Sequence, residues 1–150
     1  LIAAGGIATG RQMLAAEVLG AEGFQVGSRF VASEESSAHL KFKQEVTKAG
    51  EGATILTLKE LAPVRLLKNK FYHDVASAYA DKASAEDLKK LLGRARAKKG
   101  MFEGDLDEGE LEIGQVSGLI HDILPAEVIF NNILSEYRAV KESLKTSREQ

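Results

Sequence analysis

Apolar residues in this chain gather in short glycine-ended runs near its start and in a helical stripe near its end. Residues 1–4, Leu-Ile-Ala-Ala, make an unbroken apolar run that reads as a buried parallel strand, and Gly5 and Gly6 supply a tight turn after it. Thr9 predicts an N-cap for a helix over about residues 10–19, in which Met13, Leu14, Ala16, Val18 and Leu19 are apolar and Gly20 is the stop. Phe24, Gln25 and Val26 read as a second strand closed by Gly27. The three segments form a β-α-β unit, which normally crosses over into a parallel sheet.

Downstream the pattern turns mainly helical. Ser36 and Ser37 predict the cap of a helix that runs to about Lys48, with Leu40 and Val46 on its inner face and Gly50 beyond its end. Residues 53–58 alternate threonine with apolar positions and read as a strand or an extended arm. After Pro63, the residues Val64, Leu67 and Phe71 fall at helical spacing. Ser84 with Asp87 resembles a capping box for a helix over about 85–98. The acidic, glycine-punctuated run 103–114 reads as a loop, and 114–122 as a short helix. Pro125 opens the clearest helix, with Ile129, Ile133, Tyr137, Val140 and Leu144 one turn apart; residues 146–150 are expected to fray. There is no internal repeat.

Composition narrows the function classes. The 150 residues suffice for one ordinary domain, and 44% hydrophobic with 28% charged residues fits a soluble globular protein. A net charge of −2 gives no general pull toward nucleic acid, and the absence of cysteine excludes disulfides, thiolate metal sites and cysteine nucleophiles. No apolar stretch approaches the roughly 20 residues of a membrane span, and no signal peptide is evident, so the cytoplasm is the default. Leu1 already lies inside the first strand, and residues 1–32 supply only two strands. A parallel strand needs neighbours on both sides, so the chain is expected to be the C-terminal part of something longer.

The two strand–glycine turns carry the most chemistry. Gly5 and Gly6 let main-chain N–H groups approach an anion with no Cβ in the way, and Gly27 with Ser28 repeats the arrangement on the next strand. In a (β/α)8 barrel the loops after strands 7 and 8 frequently form a phosphate site of this kind; the competing reading is two ordinary turns. Other features point to bland roles. Asp105, Asp107 and Gly109 imitate a calcium loop only loosely, because the closing glutamate position is Val116, so no metal site is expected. Arg94, Arg96, Lys98 and Lys99 lack interleaved aromatics and read as a solvated helix end. His39, His73 and His121 have neither metal-ligand spacing nor an evident serine or carboxylate partner. Lys59, Arg65, Lys68 and Lys70 form a local basic patch, to be weighed against a solvated face or an Arg65 tied up internally.

The run Leu-Ile-Ala-Ala-Gly-Gly-Ile-Ala-Thr-Gly-Arg, followed by Leu-Gly-Ala-Glu-Gly-Phe-Gln-Val-Gly-Ser-Arg-Phe, resembles the end of the barrel in the nitronate monooxygenase / 2-nitropropane dioxygenase family of FMN enzymes. Ser33-Glu-Glu-Ser-Ser-Ala-His39, Val64-Arg-Leu-Leu-Lys-Asn69 and the segments from Gly104 and Gly114 to Ile120 most resemble its enoyl-acyl-carrier-protein reductase branch. The resemblance implies an α/β fold: the last two strand–helix units of a (β/α)8 TIM barrel (residues 1–35), an appended α-rich region (36–122) and a C-terminal helix packing back on the barrel (123–150). It implies FMN as cofactor, held through its phosphate by Gly5 and Gly6 and by Gln25, Val26, Gly27 and Ser28. It implies NAD(P)H as reductant, an acyl carrier protein as partner, no nucleic acid or membrane, and admits a homodimer. The activity implied is reduction of the 2,3-double bond of enoyl thioesters. The alternatives are oxidation of alkyl nitronates on the same scaffold, or a non-catalytic fragment whose helices only mediate interactions. The family's histidine near the flavin belongs to an earlier barrel segment without counterpart in these residues. The catalytic residue is therefore unassigned, neither His39 nor His121 takes that role, and the 150 residues alone are expected to be inactive.

Overall fold

In the computed structural model, residues 1–146 are described. The first unit is β1 (Ile2–Ala4), α1 (Gly10–Val18) and β2 (Gly23–Gln25), with β1 and β2 parallel and Ala4 opposite Gln25. Thr9 caps α1 as expected: its hydroxyl accepts from Gln12 N, while the Gln12 Oε1 accepts from Ala8 N and Thr9 N. A one-turn helix α2 (Ser28–Val31) follows Gly27 directly. The strand β1 is not buried as its apolar run suggests, because Leu1 and Ile2 are 77% and 70% exposed. The sheet has two strands, and one face of β1 meets no covering layer among the described residues.

Next come α3 (Leu40–Lys48), β3 (Thr54–Thr57), β4 (Val64–Leu67), α4 (Lys70–Ala80) and α5 (Ala85–Leu92). The cap of α3 is His39, whose Nδ1 accepts from Lys41 N, rather than Ser36 or Ser37. Residues 54–57 are indeed a strand, antiparallel to β4. The helical spacing of Val64, Leu67 and Phe71 is a coincidence across two elements: Val64 and Leu67 lie in β4, while Phe71 begins the inner face of α4. Asn69 divides them, since its Oδ1 accepts from Tyr72 N and its Nδ2 donates to the carbonyls of Leu106 and Gly109. The region is therefore mixed, and Leu66 adds a bridge to Glu112 on the far side of β4.

Helix α5 has the capping box foreseen at Ser84 and Asp87, but it stops at Leu92 instead of reaching 98. Gly93 takes a positive φ of 65°, and the Arg96 Nε donates to the carbonyls of Leu91 and Leu92, satisfying the helix end from outside the ladder. A single π-helical turn (Lys98–Phe102) and a 3-10 turn (Gln115–Leu119) precede α6 (Ala126–Thr146). Ile129 and Ile133 of the α6 stripe are buried, whereas Leu144 is 52% exposed. The fraying expected at 146–150 falls, beyond Thr146, outside the described residues.

Two cores hold these pieces. Phe71, Val75, Leu88, Leu58 and Leu66 pack α4 and α5 onto the hairpin. Phe42, Val46, Leu111, Ile113, Val116 and Ile120 join Ala8 and Ala32, so α3 and the 111–120 segment close over the ends of the β-α-β unit. Within that second core the Ser117 hydroxyl is buried without a hydrogen-bond partner. Helix α6 lies along α1. There the Glu136 carboxylate accepts from Gly10 N at 2.7 Å, and Glu17 accepts from the Tyr137 hydroxyl and the Lys141 ammonium, which hold its carboxyl below the usual range. The crossing is close enough that a Cβ at Gly10 would collide with the backbone of Ile133 and Tyr137. Gly10→Ala is accordingly expected to lower stability by roughly 1–3 kcal/mol, the range for overpacking. A shift of the urea midpoint checks this, and an unchanged midpoint would mean that α6 does not seat on α1 this closely.

Candidate functional site

After β1 the chain turns with φ of 87° at Gly5 and 70° at Gly6, a conformation side-chain-bearing residues rarely adopt. Parallel pairing of β1 with β2 brings this turn beside Gly27 and Ser28. The two turns line one cavity of about 210 Å³ with Ala4, Ile7, Gln25, Gly114 and Val116. Five of the six expected residues thus converge: Gly5, Gly6, Gln25, Gly27 and Ser28. Val26 does not, and lines a separate apolar cavity with Met13, Phe24, Phe30 and Phe130 instead.

Gly114 and Val116 were missed, and they arrive from a segment more than eighty residues away. Gly114 N–H donates to the Ser28 Oγ at 3.1 Å. A Cβ on Gly114 would come within 2.6 Å of that oxygen, so a side chain there would displace the Ser28 hydroxyl from this hydrogen bond. The only local signal was a glycine ending the acidic run, which by itself resembles any turn.

The cavity has the features of an anion cradle. A Cβ built at Gly5, Gly6 or Gly27 would meet nothing within 4 Å, so these glycines face open space and are not needed for packing. Among the described residues, the N–H groups of Gly6, Gly27 and Ser28 donate to no protein acceptor. A phosphate presents oxygens that such N–H groups can bind, and the residues present fit that group. The cradle itself carries no cation. Arg29 follows Ser28 but turns away: it is only 8% exposed, with its guanidinium bonded to the Asp122 carboxylate and, at 3.0 Å, to the Asp122 carbonyl. The N-terminus of α1 is not vacant either, since Glu136 occupies it.

The remaining candidates resolve into structure. The run 103–114 is a packed loop rather than a solvated one: Gly104, Gly109, Glu110 and Leu111 are buried. It neutralises the basic cluster that precedes it, through Lys98–Glu103 at 3.2 Å, Lys99–Asp105 at 3.1 Å and Arg96–Glu108 at 3.5 Å. Arg96 also stacks over the Phe71 ring at 4.5 Å. His39 packs against Gly104, and its main-chain N–H donates to the Met101 carbonyl. Among the described residues no group of three or more His, Asp or Glu is placed to hold a metal ion, and no helix is long and apolar enough to cross a membrane.

The family model for nitronate monooxygenase matches residues 1–136, and the chain belongs to this family, whose members are flavin-dependent oxidoreductases. Among solved structures it is similar to FabK of Thermotoga maritima, with 37% identity and a TM-score of 0.89 over 97% of this chain and 46% of that one. It is also similar to the nitroalkane oxidase of Streptomyces ansochromogenes, with 29% identity and a TM-score of 0.73 over 95% of this chain and 40% of that one. A probable nitronate monooxygenase of Staphylococcus saprophyticus is 31% identical over 91% of this chain and 38% of its own length. The chain therefore spans less than half the length of these relatives. Its α/β fold matches theirs.

Two outcomes test this geometry. In the full-length protein Gly27→Val puts a side chain at the cradle, where a Cβ meets nothing within 4 Å, so it is expected to weaken FMN binding at least tenfold while leaving the circular dichroism and urea midpoint near wild type; unchanged FMN affinity would put the phosphate elsewhere. The second concerns Glu110, 6% exposed, whose carboxyl is pushed up to about 7 by burial and by Glu112, against the opposing pull of Arg96. From its ordinary 4.5 up to about 7 the folded chain keeps a proton that the unfolded chain has lost. Stability is then greatest below 4.5 and falls as pH rises through this window. Glu110→Gln is expected to flatten that decline in urea titrations from pH 5 to 7.5, and an equal decline in the variant would assign it to another group.

Proposed function

We propose that the cradle holds the phosphate of FMN and that the protein is a flavin-dependent enoyl-acyl-carrier-protein reductase using NAD(P)H. In this reading β1 and β2 are the last two strands of a (β/α)8 barrel, 36–122 is a region appended to it, and 123–150 returns along α1. The observation that carries the reading is the convergence of Gly5, Gly6, Gly27 and Ser28 on one cavity closed by Gly114. The likeness to FabK, at higher identity and TM-score than to the nitroalkane oxidase, favours enoyl reduction within the family.

Each residue has a defined task. Gly5 and Gly6 bend the chain after β1 and keep the approach free of side chains. The N–H groups of Gly6, Gly27 and Ser28 donate to the phosphate oxygens. Gly114 takes up a lone pair of the Ser28 hydroxyl, which leaves its proton to donate into the cradle. Bound FMN would supply the hydride chemistry between NAD(P)H and the β-carbon of the enoyl thioester.

An acyl carrier protein is the proposed partner, but the basic patch for it is smaller than the sequence suggests. Arg65 donates to the Thr54 carbonyl and hydroxyl, and Lys70 pairs with Asp74 and Glu108. Lys59 and Lys68 remain exposed and make no ion pair among the described residues. The nitronate reading has its own support in the family name and in the curated relative from Staphylococcus saprophyticus. Anaerobic NADH oxidation dependent on a crotonyl thioester is expected from the FMN-loaded full-length protein that carries this chain. Oxygen consumption with an alkyl nitronate, without enoyl reduction, would favour the alternative.

A further inference from the structure

A second and larger cavity, of about 530 Å³, adjoins the cradle and shares Gly6 and Val116 with it. Its wall is unusual for a site beside a phosphate, because none of its lining residues is cationic and one, Glu51, is a carboxylate. Gly50, Gly52 and Gly118 offer backbone edges rather than side chains, and Gln12 and Gln115 add carboxamides. The Gln12 carboxamide is fixed: its oxygen is used by Ala8 N and Thr9 N, so its amino group is the end left to donate to a ligand. Such a wall complements a neutral chain bearing amides, whose carbonyls accept from Gln12 and whose N–H groups donate to Glu51 or to backbone carbonyls. It opposes phosphorylated groups, which Glu51 repels. A flavin ring is also poorly served, because its electronics are tuned by charge placed near N1 and N5 and a lone carboxylate disfavours electron uptake.

We propose that this cavity receives the neutral, amide-bearing pantetheine arm of the thioester substrate. The assignment rests on the enoyl-thioester reading above and extends it to a substrate subsite. Gly50 provides the test, since it lines the cavity, a Cβ there meets nothing within 4 Å and its φ is not positive, so Gly50→Leu adds bulk at the cavity wall with no clash at Cβ.

The measurement is calorimetric binding of S-butanoyl pantetheine, a saturated thioester that is not reduced, to the FMN-loaded full protein. Gly50→Leu is expected to weaken this binding at least tenfold, and Gly50→Ala much less, with flavin stoichiometry and the rate of flavin reduction by NADH as in wild type. Equal thioester affinity in Gly50→Leu and wild type overturns the assignment. Loss of FMN gives the cavity to the flavin, and slowed reduction by NADH gives it to the nicotinamide nucleotide; either result overturns it as well. If Gly50→Leu alone loses its urea transition, the comparison passes to Glu51→Lys, which is expected to weaken S-butanoyl pantetheine by severalfold, and unchanged affinity there overturns the proposal. Failure of the parent reading looks different: wild type then oxidises nitronates and does not reduce crotonyl thioester, whatever Gly50→Leu does.

Discussion

The hydrogen bond from Gly114 N–H to the Ser28 Oγ joins two segments that share no local signal, and the cradle depends on it. It holds because the chain on either side of Gly114 is buried: Leu111, Ile113, Val116 and Ile120 pack with Phe42 and Val46 of α3 and with Ala8 and Ala32 beside the two turns. Burial of this size is non-directional, so it fixes how near the segments lie but not which atoms meet. Direction comes from the hydrogen bond, which aims the Gly114 peptide at Ser28, and the same serine follows the turn that opens the cradle.

Much of the first unit was legible because its signals are local. The apolar runs, Gly5, Gly6 and Gly27 gave the β-α-β unit, and Thr9 with Gln12 closed the capping box on α1. Ser84 and Asp87 did the same for α5. Pairing β1 with β2 then placed Gly5, Gly6, Gln25, Gly27 and Ser28 around one cavity. The misread segments are those where tertiary contacts outweigh spacing. Val64, Leu67 and Phe71 look helical in isolation, yet β3 pairs with β4 and the Asn69 side chain, anchored on the 106–109 loop, starts a new helix. The helix foreseen to 98 ends at 92 because Gly93 and Arg96 terminate it. Gly114 was illegible for the opposite reason, as its role exists only after residues far apart in sequence are packed together.

Charge follows the same division. The acidic run and the basic cluster look like two solvated features in sequence, but they are one packed unit in which Lys98, Lys99 and Arg96 meet Glu103, Asp105 and Glu108. Exposed pairs of this kind contribute little individually, and their main effect here is to neutralise Arg96, Lys98 and Lys99 locally. Arg29 and Arg65 are likewise spent on internal partners. In the proposed reading the cradle would bind its anion through oriented N–H dipoles and the Ser28 hydroxyl without a cation, which favours a single phosphate approached closely over diffuse attraction to polyanions.

That claim is tested most directly by comparing FMN with riboflavin, which lacks only the phosphate. Two or three charge-assisted hydrogen bonds at roughly 1.5–3 kcal/mol each correspond to a preference for FMN of about 100-fold or more. Fluorescence titration of the flavin-free full-length protein with both ligands measures the ratio. A preference of that size is the predicted result, and equal affinity for the two flavins would contradict a phosphate cradle at Gly5, Gly6, Gly27 and Ser28.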